Sequence, residues 1–188
     1  MAALHITEAA SRRGQLADQC FSDRVFFYID GIPTKGQWVA LEDADSWDDV
    51  HLSLQAAELV SKGYGGDVLA ADVEGNLARC FYSSSFDLFD LPRYVEARDD
   101  IDRNDLDPDA AAAFIDWRGD FDLDGFRDAY MGQHDSQEAF AEQLVEDCGL
   151  LADAPETLAR YFDMESFARD LFMGDYYMDD GGYVFASY

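Results

Sequence analysis

The sequence predicts an α+β protein of elongated form: a small mixed sheet-and-helix unit at the N-terminus, followed by mainly helical middle and C-terminal units. Three observations lead there. The first ninety or so residues carry short aromatic and β-branched runs broken by Gly and Pro, which is strand punctuation. Further along, apolar residues recur at helical spacing between helix-start and helix-stop residues. A formal net charge of −27 on 188 residues opposes compaction, and drawing the charge out along an elongated body lowers the repulsion.

Residues 1–22 read as a polar, Ala-containing extension to which no structure is assigned. Residues 24–30 (RVFFYID) and 37–41 (QWVAL) predict strands joined by a loop with Gly31, Pro33 and Gly36. Ser46 suits a helix cap, with Asp48 and Asp49 in the favourable first turn. Val50, Leu54, Ala57 and Ser61 share one helical face, and Gly63 suits the stop. Val68–Val73 and Ala78–Tyr82 predict two more strands. Residues 23–91 therefore form the expected N-terminal domain.

The expected middle domain, 92–125, has little strand signal and a dense run of acids: Asp99, Asp100, Asp102, Asp105, Asp107 and Asp109. Asp107–Pro108 is a helix start, with Pro at the first helical position, and Ala110–Trp117 is its helix. The expected C-terminal domain, 126–188, reads mainly as helices. Asp135 and Glu138 have the spacing of a capping box, with Asp in place of Ser or Thr. Phe140, Leu144, Val145 and Cys148 form an inner face, and Gly149 ends that helix. Thr157–Phe162 and Glu165–Phe172 predict two short helices, and Tyr183–Tyr188 a closing strand.

Hydrophobic residues make up 48% of the chain, so the acidity is not that of a disordered tail. It is also not local. Residues 1–92 carry 15 acidic and 6 basic groups, residues 93–125 carry 11 and 4, and residues 126–188 carry 14 and 3. Duplex DNA carries about one negative charge per ~1.7 Å, so −27 matches roughly 45 Å of duplex. On the helix beginning near 135, Glu138, Glu142 and Glu146 recur at i, i+4 and i+8, and no Lys or Arg is interleaved. An ordinary solvated face also explains that stripe alone; its repetition in all three regions points to a functional polyanion. The candidate target-binding carboxylates are Asp48, Asp49, Asp99, Asp100, Asp102, Asp105, Asp107, Asp109, Asp120, Asp122, Asp124, Glu138, Glu142, Glu146 and Asp147.

Catalytic templates fail. His5, His51 and His134 are scattered, and no HExxH, GxSxG, P-loop or GxGxxG motif occurs. No catalytic residue and no cofactor is expected. Asp120, Asp122, Asp124, Gly125 and Asp128 match part of a calcium loop, but Met131 stands where the bidentate Glu belongs and Arg127 at a normally apolar position. No metal site is therefore assigned. A basic patch is absent, which argues against direct nucleic-acid binding. Cys20, Cys80 and Cys148 form no paired motif and suit a reducing cytoplasm. Neither a signal-peptide pattern nor an apolar run of ~18 residues is present.

The run LADAPETLARYFDMESFARDL (151–171), then Asp175-Tyr176-Tyr177 and the closing GGYVFASY, resembles the end of the ArdA antirestriction proteins carried by plasmids, transposons and phages. The opening RVFFYIDGIPTKGQWVAL is similar to that family's start, where a strand leads through a polar loop to a Gly-x-Trp segment. The likeness spans 24–188 and is most specific in 151–188. It implies a three-part elongated homodimer that mimics bent B-form DNA. It further implies binding in the DNA-binding cleft of the modification core of type I restriction-modification enzymes. Restriction is then blocked, and modification less strongly, in the bacterial cytoplasm. The family offers no catalytic residue to carry over. The same acidity also fits an inhibitor of a CRISPR effector or phage-exclusion complex, an acidic calcium-binding protein, or a halophilic housekeeping protein. Calcium calorimetry and folding in low salt separate the last two.

Overall fold

The computed structural model describes residues 23–30, 36–56 and 67–187. The fold is α+β, with three small antiparallel sheets and helices between them among the described residues. The chain divides into two compact units, Met1–Asp116 and Trp117–Tyr188.

In the first unit β1 (Arg24–Ile29) is the central strand, between β2 (Gly36–Ala40) and β3 (Val68–Glu74). Val25, Phe27 and Ile29 alternate onto the buried face, as a period of two requires. Phe27 meets Trp47 and Phe89 edge-on. On the other face Phe26 meets Trp38, and its ring lies where a side chain at position 36 would go. Glycine at 36 thus keeps Phe26 over the sheet. Helix α1 (Trp47–Ala56) buries Val50 and Leu54, the predicted face. The predicted loop with Gly31 and Pro33, together with Ala57, Ser61, Gly63 and the 1–22 extension, lies outside the described residues.

Residues 78–82 were expected as a strand. Instead β3 turns at Gly75 (φ 105°) into a one-turn helix, α2 (Asn76–Arg79), and only then reaches β4 (Tyr82–Ser83), which pairs with β5 (Leu88–Phe89). The cause is tertiary: the buried Asp23 carboxylate accepts a hydrogen bond from the Ala78 N–H at 3.2 Å, which satisfies an amide that the helix start leaves open. Leu77, Ala78 and Phe81 then point into the core.

Helix α3 (Leu91–Arg103) is capped by Asp90, which accepts from the Arg93 N–H. Leu91, Tyr94, Ala97, Arg98 and Ile101 face inward. Helix α4 (Pro108–Arg118) starts as predicted, with Asp107 accepting from the Asp109 and Ala110 N–H groups. Every residue from Ala110 to Ile115 is buried, as expected for a stretch apolar on every side, while Asp109, Asp116 and Arg118 near the helix ends are exposed.

The second unit contains α5 (Leu123–Ala129), β6 (Tyr130–Gln133), α6 (Gln137–Asp147), α7 (Glu156–Ala159), α8 (Met164–Leu171), β7 (Tyr176–Met178) and β8 (Tyr183–Ala186). The predicted closing strand β8 lies between β6 and β7 as the sheet centre. Phe185, fully buried, meets the rings of Trp117, Phe126, Tyr130 and Tyr177. Two details of α6 differ from expectation. Its cap is Ser136, one residue later than Asp135, with Oγ accepting from the Ala139 N–H at 3.1 Å. Cys148 is exposed because it follows the last helical residue, where Gly149 (φ 61°) breaks the helix.

Candidate functional site

Twelve of the fifteen predicted carboxylates are exposed; Asp49, Asp100 and Asp107 are half-buried. Asp48 and Asp49 occupy the first turn of α1, where open N–H groups favour negative charge. The Ser46 hydroxyl donates to the Asp49 carboxylate at 2.7 Å. That fixes one acid and leaves Asp48 on the surface.

The densest group follows α3. Asp99, Asp100 and Asp102 stand in its last turns, and Asp105 takes a left-handed turn (φ 53°) that Asp tolerates better than most residues. Arg103 binds Asp100 at 2.6 Å. Asp109 accepts from the Asn76 side-chain amide at 2.9 Å, and Asp107 caps α4. Asp100, Asp107 and Asp109 are thus each held by a hydrogen bond or ion pair.

One contact here was not foreseen. Arg98 has a buried side chain, and its guanidinium reaches the surface between two carboxylates. Nη1 donates to the Leu41 carbonyl at 2.7 Å, and Nη2 to Asp45 at 2.6 Å and Asp99 at 2.9 Å. Burial works against its charge, but the hydrogen bonds to Asp45 and Asp99 outweigh that and hold the group protonated. Asp45 was not among the predicted residues. The available signal was Arg98 itself, a cation on the inner face of α3 in step with Leu91, Tyr94 and Ile101.

In the second unit Asp120, Asp122, Asp124 and Asp128 do not form a ligand loop. Asp122 caps α5, accepting from the Gly125 N–H at 2.9 Å, and Asp120 accepts from the Phe121 N–H. Residues 123–129 are helical where a calcium loop would still be winding round its ion. Among the described residues no three His, Cys, Asp or Glu side chains gather as a metal site. On α6, Glu138, Glu142 and Glu146 are all exposed on one stripe, about 6 Å apart at ~1.5 Å rise per residue. The helix carries no Lys or Arg, and Asp147 accepts from the Gln143 amide at 3.3 Å.

Asp23 is buried in the first unit, and Cys80 is half-buried there. Burial raises Asp23 to about 6, against hydrogen bonds from Tyr94 and Ala78 that lower it. Burial, with Asp116 nearby, pushes the Cys80 thiol up to about 12, so it is not a ready nucleophile. The candidate acids, unlike these two groups, are mostly exposed, and they belong to a strongly anionic chain. Its charge is shared almost equally: up to Asp116 there are 23 acidic and 9 basic groups, a net of −14, and from Trp117 there are 17 and 4, a net of −13. Arg24, Arg93, Arg98, Arg103 and Arg169 are each paired with an acid of this chain.

A strongly anionic fold of this kind has a counterpart among known families. The family model described as antirestriction protein (ArdA) matches residues 28–185. The chain belongs to the ArdA family. No curated protein matches it. ArdA proteins are antirestriction inhibitors that act on restriction-modification enzymes, and they are not enzymes themselves. The matched span includes all fifteen predicted carboxylates, together with Asp45 and Arg98. Among the described residues of this ArdA protein, no helix is long and apolar enough to cross a membrane.

Proposed function

We propose that this protein mimics B-form DNA and occupies the DNA-binding cleft in the modification core of type I restriction-modification enzymes. It blocks restriction, and modification more weakly. The observation that carries this reading is the placement of the acids: predominantly exposed, present in both compact units, and outnumbering the cations of the chain by 40 to 13. Such a cleft is lined by Lys and Arg that otherwise meet phosphates. Carboxylates in their place release the same bound counterions and draw on the same driving force. No base edge is presented, so blockade is indifferent to the enzyme's recognition sequence. Long-range attraction makes association fast and sensitive to salt. The inhibitor acts as a homodimer in the bacterial cytoplasm and is encoded by a plasmid, transposon or phage.

The test is cleavage of unmodified plasmid by a type I restriction enzyme at two salt concentrations. Loss of cleavage near stoichiometric inhibitor, with recovery as salt rises, is the expected result. Full cleavage under all conditions with folded inhibitor refutes the proposed target. Light scattering at micromolar concentration tests the dimer, and a monomer mass there refutes it.

A further inference from the structure

We infer that Arg98 is a positioning residue for target binding: it holds Asp45 and Asp99 as one preorganised, outward-facing carboxylate pair for the cationic cleft of the target. The inference rests on the proposed DNA mimicry. Asp45 belongs to the segment leading into α1, and Asp99 to α3. They are 54 residues apart in sequence. What joins them is one nitrogen, Nη2 of Arg98, which donates to an oxygen of each at 2.6 and 2.9 Å. Without that donor, two like charges so close together would repel and their side chains would swing apart. Nη1 anchors the guanidinium to the Leu41 carbonyl, so the donor itself cannot follow either acid outward.

The exposure pattern separates this cluster from an ordinary surface ion pair. The Arg98 side chain is 10% exposed, while those of Asp99 and Asp45 are 48% and 76% exposed. The cation is hidden and the anions are displayed. The cluster carries a net charge of −1, one buried guanidinium against two carboxylates. A lysine or arginine of a DNA-binding cleft therefore meets acceptor oxygens with one net negative charge, as it does at a phosphodiester. Because the side chains are already fixed, binding does not have to order them. The guanidinium meets the Leu41 carbonyl with one nitrogen and both carboxylates with another, whereas the ammonium of a Lys would have to reach all three acceptors from a single nitrogen, which is why Arg suits this position.

The experiment keeps the charge and moves the carboxylates. In the double variant Asp45→Glu with Asp99→Glu, net charge is unchanged and each carboxylate sits one methylene further out. Inhibition of the type I enzyme at low salt should weaken roughly five- to tenfold, the lower end of the loss expected when about two side chains must be ordered on binding. A cycle tests Arg98 directly: Arg98→Lys should weaken inhibition in the wild-type background and have no further effect once Asp45→Asn and Asp99→Asn are in place. Thermal unfolding of every variant shows that it folds. Wild-type potency in the Glu double variant, or an Arg98→Lys loss equal in both backgrounds, overturns the positioning role and leaves the mimicry standing. Absence of inhibition by the wild-type protein overturns both.

Discussion

The Tyr94 hydroxyl donates to the Asp23 carboxylate at 3.0 Å, joining α3 to the start of β1 inside the first unit. The same carboxylate holds the Ala78 amide, and a side chain at position 75 would strike it, so Gly75 is required by both its φ of 105° and its neighbour. In a chain with 40 acidic residues, this acid serves the fold and not the surface.

The Asp23 carboxyl titrates near 6 in the folded chain, against an ordinary value of 3.8, chiefly because burial disfavours its charge. Between those values the folded state holds a proton that the unfolded state has released. The group's contribution to stability is therefore best below about 4 and declines as pH rises through about 6. Asp23→Asn removes that dependence. The melting temperature of the variant, relative to wild type, should climb between pH 4.5 and pH 7. Comparison at each pH cancels the general relief of repulsion that acid brings to so anionic a chain. A difference that stays flat across the window would remove Asp23 as the titrating group.

Gly36→Ala should cost about 1–3 kcal/mol, the usual range for overpacking, since the new methyl meets both the Phe26 ring and the Phe27 carbonyl. Denaturant unfolding measures it. A small residue tolerated there without loss would mean that Phe26 can leave its place over the sheet at no cost. The Gly-x-Trp segment is explained by the same contact: Gly36 admits Phe26, and Trp38 packs against it.

Local chemistry was readable, and distant pairing was not. The start of α4 was legible because Asp107 and Pro108 state it within two residues. The apolar stretch 78–82 suits a strand as well as a helix, and the deciding contact comes from Asp23, 55 residues away. β6 and β7 went unread because they are three or four residues long, and β6 contains Gly132 with φ 105°. Exposure of the acids follows from their charge, so the surface position of twelve of the fifteen was legible residue by residue. Asp45, which the sequence reading omitted, is tied to the acids of α3 by the guanidinium of Arg98 on that helix.

That guanidinium changes what charge reversal at the acidic run will do. Asp99→Lys would set a cation beside the buried Arg98 and take away one of its acceptors. It should destabilise the first unit markedly more than Asp102→Lys or Asp105→Lys, two exposed positions on the same stretch. Asp99→Asn should fall between, because the amide oxygen still accepts. Chemical denaturation of the three Lys variants ranks them. Equal stability for Asp99→Lys and Asp102→Lys would mean that Arg98 does not depend on its carboxylates; Asp105→Lys also carries the cost of a left-handed backbone position.

The stripe on α6 separates stability from function most cleanly. Glu138, Glu142 and Glu146 repel one another at i,i+4 spacing, each pair costing a few tenths of a kcal/mol. Glutamine has nearly the same shape and helix propensity without the charge. Replacing Glu142 and Glu146 with Gln, while keeping Glu138 in the first turn where its charge is favourable, should therefore raise the melting temperature slightly. If the stripe meets the target, the same protein should inhibit less well and show a shallower dependence of potency on salt, because fewer counterions are released when it binds. A stripe that is only a solvated face predicts the first effect without the second: higher stability with unchanged potency and salt slope. Because the two readouts move in opposite directions only when the acids are used in binding, a damaged fold cannot imitate the functional result.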